Sequence, residues 1–266
     1  MIQKKKSLIV SANLLKEFLD EKVELYNSIS FIETDPIQIP HRYTLKQDIE
    51  IAAFFAATIA WGNRKSIITN AGKLMEWMDD SPYNFILHST LKDRKVFSKF
   101  VHRTFNGEDC IYFITALQHV YQQFSSMENL FMISSKNQEV ISLKEAIHKF
   151  RTEFFSIKHP LRTQKHVSNP MTGSACKRIC MFLRWMIRKD RKGVDFGIWK
   201  SIPASSLHLP LDVHTGNVGR KLGLLSRNSN DWQAVEEITS HLRNFDPKDP
   251  IKYDFALFGL GAFEGF

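Results

Sequence analysis

Lys177 and Asp212 are the two side chains on which a chemical reading of this sequence turns. Lys177 stands in the first turn of an amphipathic stretch that reads as a helix over 174–188, just after Met171-Thr172-Gly173-Ser174 and beside Arg178. Free backbone N–H groups at such a start suit a phosphate. The same dipole and the neighbouring guanidinium disfavour the ammonium form of a lysine. A neutral lysine amine is a nucleophile that can form a Schiff base; a plain surface or phosphate-contacting lysine is the alternative. Asp212, in Leu209-Pro210-Leu211-Asp212-Val213-His214-Thr215, precedes a second helical stretch over 212–224. An aspartate there is first of all an N-cap, worth roughly 1 kcal/mol over alanine. Fixed at a helix start, it is also a rigidly held anion that can stabilise a nearby cation or position a water.

At 100° per residue, Cys176, Ile179, Leu183, Met186 and Ile187 share one face of the 174–188 helix, which should be buried. Lys177, Arg178, Arg184, Arg188 and Lys189 fall on the other, with Met181 and Trp185 among them. Arg178, Arg184 and Arg188 are therefore expected at the surface, in reach of phosphates. Residues 158–200 hold 11 Lys or Arg against 2 Asp, which leaves 25 basic and 26 acidic residues elsewhere. This one segment carries the whole excess behind the net charge of +8. A localised basic surface with interleaved aromatic rings suits phosphates and unstacked bases; a solvated charged face is the plainer alternative. Cys176 and Cys180 lie at i and i+4, but two further metal ligands are not evident, so they read as buried thiols. With Cys110 they are the three cysteines of the chain, too few for a disulfide framework or a four-thiolate cluster. No metal and no cofactor is expected. H-E-x-x-H, P-loop and G-x-S-x-G motifs are missing, which argues against the common zinc-protease, NTPase and hydrolase chemistries.

The elements that must hold these residues read as helices almost throughout. Periodicity predicts helices over 14–26, 48–61, 65–78, 109–124, 143–155, 174–188, 212–224, 231–245 and 250–260. The stretch 48–61 is apolar nearly all round, hence central. Pro36 and Pro40 make 35–43 an extended connection, Ser81-Pro82 reads as an N-cap followed by proline at the first helical position, and 158–172 reads as a polar loop. The 266 residues, 43% hydrophobic and 24% charged, fit one large unit or two small ones sharing a core. An all-α chain is expected, with helices from both ends flanking a middle lobe near 64–190. Lys4-Lys5-Lys6 before Leu8-Ile9-Val10 imitates a leader, but charges return at Lys16, Glu17 and Asp20 before an apolar region forms. The longest apolar run, 51–61, has 11 residues, against the roughly 20 that a bilayer requires. A cytoplasmic monomer without membrane contact is expected.

Gly173-Ser174-Ala175-Cys176-Lys177-Arg178-Ile179, then Pro210-Leu211-Asp212-Val213-His214-Thr215 with Val218-Gly219-Arg220-Lys221-Leu222-Gly223-Leu224, resemble the helix-hairpin-helix DNA glycosylase superfamily. Two further segments are similar to it: Trp61-Gly62-Asn63-Arg64 between two helices, and the late helix ending Phe258-Gly259-Leu260-Gly261. The resemblance is patchy from about residue 46 onward, and its Lys/Asp part is the specific one. The usual hairpin reads apolar-Pro-Gly-apolar-Gly; here Gly173 remains and Ala175 stands where the second glycine would. Lys177 and Asp212 are 35 positions apart, longer than in the endonuclease III branch and closer to the archaeal 8-oxoguanine glycosylases. No cysteine follows Cys180, so the iron–sulfur loop of endonuclease III is absent.

The resemblance implies a two-lobed helical bundle with its cleft between the lobes, acting on duplex DNA with a damaged or abasic site. A damaged base, an oxidised purine by analogy, would be flipped into a pocket. Asp212 would orient or deprotonate the nucleophile and stabilise oxocarbenium character at the sugar. Lys177 would attack C1′, expel the base and leave a Schiff base that permits strand cleavage. Asn63 and Arg64 would fill the vacated stack or contact the opposite strand. Gly173, Ser174, Arg178, Arg184 and Arg188 would meet the DNA backbone, and His214 would meet the backbone or Asp212, a packed or solvated histidine being the alternative. Trp61 and Trp185 would line the base pocket, a core role being the alternative for each. The competing expectations are a non-catalytic DNA-binding protein of the same fold, and a helical protein-interaction module.

Overall fold

The computed structural model describes residues 12–132 and 142–266; the leader-like Lys4–Val10 stretch lies outside the described residues. Those residues form twelve α-helices, in order α1 (Ala12–Tyr26), α2 (Ile29–Thr34), α3 (Lys46–Thr58), α4 (Arg64–Glu76), α5 (Pro82–His88), α6 (Gly107–Gln123), α7 (Glu128–Phe131), α8 (Leu143–Phe154), α9 (Lys177–Ile187), α10 (Val213–Lys221), α11 (Trp232–Phe245) and α12 (Tyr253–Ala262). The one strand pair among them is a two-residue antiparallel hairpin, Val101–His102 with Phe105–Asn106. The fold is all-α. None of the described helices is long and apolar enough to cross a membrane.

The apolar run read as central becomes α3, buried at every residue from Ile49 to Thr58. Phe54 on this helix packs against Phe113, Phe150, Phe154 and Phe182, with ring centroids 5.5–5.6 Å apart. The charged member, Glu50, is fully buried and satisfied. Its carboxylate accepts from Tyr121 Oη (2.8 Å), Ser126 Oγ (2.5 Å), Met127 N (3.1 Å) and Trp199 Nε1 (2.7 Å). Burying a carboxylate is tolerable only with such a set of donors. α9 packs along α3, so the helix carrying Lys177 is anchored on the most buried element of the fold.

α1 packs along α12, and α12 packs on α10. The contact between α1 and α12 is close: Gly259 lies under the Tyr26 ring, where a Cβ has no room. The segment expected as extended, 35–43, instead winds into two short 3-10 turns, Pro36–Gln38 and Pro40–Arg42. Each opens with a proline whose fixed φ suits the first turn position, and Asp35 caps the first by accepting from Ile37 N at 3.0 Å. Ser81 precedes α5 but makes no side-chain cap; Asp48 Oδ1 accepts from Tyr83 N at 2.8 Å instead.

Candidate active site

The chain reaches Lys177 through a tight hairpin. Pro170–Thr172 forms a 3-10 turn with Asn169 accepting from Met171 N, and Gly173 closes it at φ +86°, a conformation glycine adopts freely. Gly173 is exposed, its carbonyl accepts from Trp232 N at 3.0 Å, and Ser174 bridges to Asp231. Cys176 then takes a left-handed conformation (φ 51°) as the residue before α9. Left-handed backbone is unfavourable for a residue with a Cβ, and it turns the chain so that α9 begins at Lys177, three positions later than the periodicity suggested. No side chain caps this helix start.

Asp212 is the N-cap of α10 in a capping box: it accepts from Thr215 N at 3.0 Å, and Thr215 Oγ1 accepts from Asp212 N at 2.9 Å. The cap leaves Oδ2 free to meet Lys177, whose Nζ lies 3.2 Å away. Two helix starts 35 positions apart in the chain thus bring an amine and a carboxylate into one ion pair. Burial pushes the Asp212 carboxyl up, but Lys177 and the Thr215 N–H outweigh it, and the group is held below the usual carboxylate range. Asp212 is an anion at neutral pH.

The pair opens into a cavity of about 670 Å³, inside the roughly 300–1,000 Å³ range of small-ligand sites. Phe31, Phe258 and Met181 give apolar wall; Asp35, Arg64, Arg184 and Asp254 give polar wall. Trp61 and Ser174 also line it, as do Arg178 and His214, the last exposed at the start of α10. The Arg64 guanidinium sits over the Phe258 ring, 5.2 Å from its centroid. Asn63 is not on the cavity wall. It is exposed and caps α4 by accepting from Ser66 N at 3.1 Å.

The basic face expected on α9 is not a surface. Arg184 and Arg188 are 4% and 2% exposed. Arg184 pairs with Asp195 and Asp254, while Arg188 pairs with Asp190, Asp195 and Asp249 at 2.8–3.0 Å. Burial pulls both guanidinium groups down, yet the surrounding carboxylates hold both above the ordinary arginine value. Neither is available for DNA phosphates. Trp185 is fully buried in the core and does not line the cavity, which removes it from the base pocket. Arg178 is half-buried, its guanidinium donating to the carbonyls of Thr58 and Lys165 and lying 4.8 Å over Trp61. Burial lowers it to about 10.

Three acidic groups of this region were not read from the sequence. Asp35 and Asp254 face the cavity with raised carboxyls. Burial is the main cause for both, opposed at Asp35 by the Ile37 N–H and then Arg184 and at Asp254 by Arg184, and Asp254 is pushed up to about 6. Asp254 had a legible signal, as a lone charge on an otherwise apolar stretch, Tyr253–Phe258. Asp109, fully buried, holds His166 beside the cavity; nothing local in the sequence joins residues 57 apart. Among the described residues, no group of three or more His, Cys, Asp or Glu is arranged to hold a metal ion.

A family model matches residues 35–263, taking in Lys177, Asp212 and nearly all of the cavity wall. The chain belongs to that family, described as Protein of unknown function (DUF2400). No curated protein and no solved structure matches the chain. The DUF2400 span begins at Asp35 and leaves out α1 and α2. The Lys177–Asp212 pair lies inside the matched span, and Phe31 joins the cavity wall from outside it.

Proposed function

We propose that the Lys177–Asp212 cavity is the active site of a DNA base-excision enzyme that removes a damaged base, an oxidised purine by first choice, and forms a Schiff base through Lys177. One observation carries the reading: an amine and an ionised carboxylate 3.2 Å apart at two helix starts, opening on a cavity with aromatic and polar walls. A two-lobed arrangement of the glycosylase type goes with this reading. Duplex DNA with a damaged or abasic site is the partner.

The chemistry follows from charge. As the bond from C1′ to the base nitrogen lengthens, its electron pair leaves with the base and C1′ becomes cationic. Asp212, fixed by its own helix cap, sets a negative charge beside that centre; preorganised charge of this kind lowers the barrier without reorganisation. Lys177 passes a proton to Asp212 Oδ2, and the freed Nζ electron pair forms the new bond to C1′. The departing base takes that proton from Asp212, and the adduct becomes the Schiff base as the C1′–O4′ bond breaks, the adduct nitrogen releasing a proton that O4′ takes up. The uncapped start of α9 offers its N–H groups to a flanking phosphate.

The test is borohydride trapping with duplexes carrying 8-oxoguanine, other damaged bases or a plain abasic site. A covalent adduct that disappears in Lys177→Gln is expected. A folded wild-type protein that binds these duplexes, releases no base and gives no adduct would refute the reading in favour of a non-catalytic binder.

A further inference from the structure

His166 is used by nothing described so far. It lines the cavity and is 4% exposed. Its Nε2 faces Asp109 Oδ2 at 3.1 Å. Asp109 is itself over-determined: it accepts from Asn106 N (3.0 Å), Arg162 Nη1 (2.7 Å) and Thr163 Oγ1 (2.7 Å). Burial raises that carboxyl, but these donors and His166 outweigh it and keep it below the usual range. An ionised Asp109 can only accept, so Nε2 carries the hydrogen. Burial drives the imidazole down to about 4, Asp109 opposing and Arg178 and Lys165 reinforcing. The ring is therefore neutral, and Nδ1 keeps a lone pair. Among the described residues that lone pair has no hydrogen-bond partner.

Aromatic rings flank the imidazole on two sides. Phe105 meets it edge-on at 4.9 Å, and Trp61 stacks on it at 6.0 Å with 26° between planes. Trp61 is fixed in turn by Arg178 at 4.8 Å and by the edge of His102 at 5.3 Å. A neutral acceptor at a cavity wall, on a nearly buried ring held in one tautomer, is a recognition group, because a ligand that displaces its water and leaves it unpaired forfeits that hydrogen bond.

We propose that His166 is a specificity-determining residue of this cavity: its Nδ1 accepts a hydrogen bond from an N–H on the edge of the bound planar base, and Asp109 is the positioning residue that holds the ring in the required tautomer. The inference rests on the base-excision reading and names the substrate class as heterocycles presenting an N–H donor at that edge. Bases methylated at every nitrogen donor are rejected.

Free 8-oxoguanine, hypoxanthine, adenine and 1,3,7-trimethylxanthine, which has no N–H, are titrated calorimetrically against wild type and His166→Phe. Phenylalanine keeps the ring contacts and removes the acceptor. At least one donor-bearing base binds wild type and loses about tenfold in the variant, while trimethylxanthine gains nothing from His166. Equal binding of donor bases to both proteins overturns the proposal. So does binding of none of them by a protein that still forms the abasic-site adduct. Should His166→Phe not fold, imidazole ¹⁵N shifts of wild type decide. The Nε2–H tautomer with an Nδ1 shift on base addition supports the proposal, and the opposite tautomer or an unmoved Nδ1 overturns it. Absence of any adduct on abasic duplex is a separate failure, of the base-excision reading itself.

Discussion

Replacing Asp212 by asparagine removes one negative charge from the cavity and little else. Asparagine caps helices about as well as aspartate, so the bond from Thr215 N survives in Asn form. The Lys177 ion pair is lost, but both partners are partly solvent-exposed, and such pairs contribute about 0–1 kcal/mol. The melting temperature should therefore fall by less than about 4 °C. Catalysis is another matter. A unit charge about 4 Å from a cationic C1′ is worth about 4 kcal/mol at an effective dielectric near 20, or about 10³-fold in rate. Single-turnover release of the base from a labelled duplex, read on a gel after alkaline cleavage, should show that loss with duplex affinity unchanged. Borohydride trapping on a plain abasic duplex, which has no base to expel, should fall much less. A folded Asp212→Asn protein that releases base within tenfold of wild type would refute the electrostatic reasoning.

Glu50→Ala strips the acceptor from four donors in the core and should cost about 3–5 kcal/mol, measured by urea denaturation; a loss under about 1 kcal/mol would contradict the buried network. Arg188→Ala should cost a similar about 3–5 kcal/mol by taking one cation from three carboxylates, of which Asp195 keeps Arg184, while the salt dependence of DNA binding stays as in wild type; a shallower salt slope would return Arg188 to the interface. Asp254, raised from 3.8 to about 6 in the fold, binds its proton more tightly folded than unfolded, so its contribution to stability declines as pH rises from about 4 to 6 and is constant above. The stability of wild type minus that of Asp254→Asn should decline across that window in chemical denaturation series, and a flat or rising difference would contradict it.

What the sequence made legible was local. Helix periods and cap residues gave most elements to within a few positions, and Asp212 was readable as a cap because Thr215 and the helix follow it directly. Lys177 and Asp212 were paired through a resemblance of motif, and they meet at 3.2 Å. The error on α9 has a clear origin. A helical wheel sends charge to solvent, but Arg184 and Arg188 find Asp195, Asp249 and Asp254, partners up to 70 residues away that no window of one helix contains. The same distance hid Asp109 behind His166. The 3-10 turns at 36–42 were missed because proline rules out α-helix before it without specifying the alternative.

The wall of the cavity draws on residues from Phe31 to Ala262, and α12, which brings Asp254 and Phe258, is seated by α1 through the Tyr26–Gly259 contact. During synthesis, then, Lys177 leaves the ribosome well before the helix that completes its surroundings. Asp212 follows 35 residues later, and the far wall some 40 residues after that. An unfinished chain carries the Lys177 amine without the cavity that encloses it or the Asp212 charge that pairs with it. The cavity closes all at once, when α12 docks on α1.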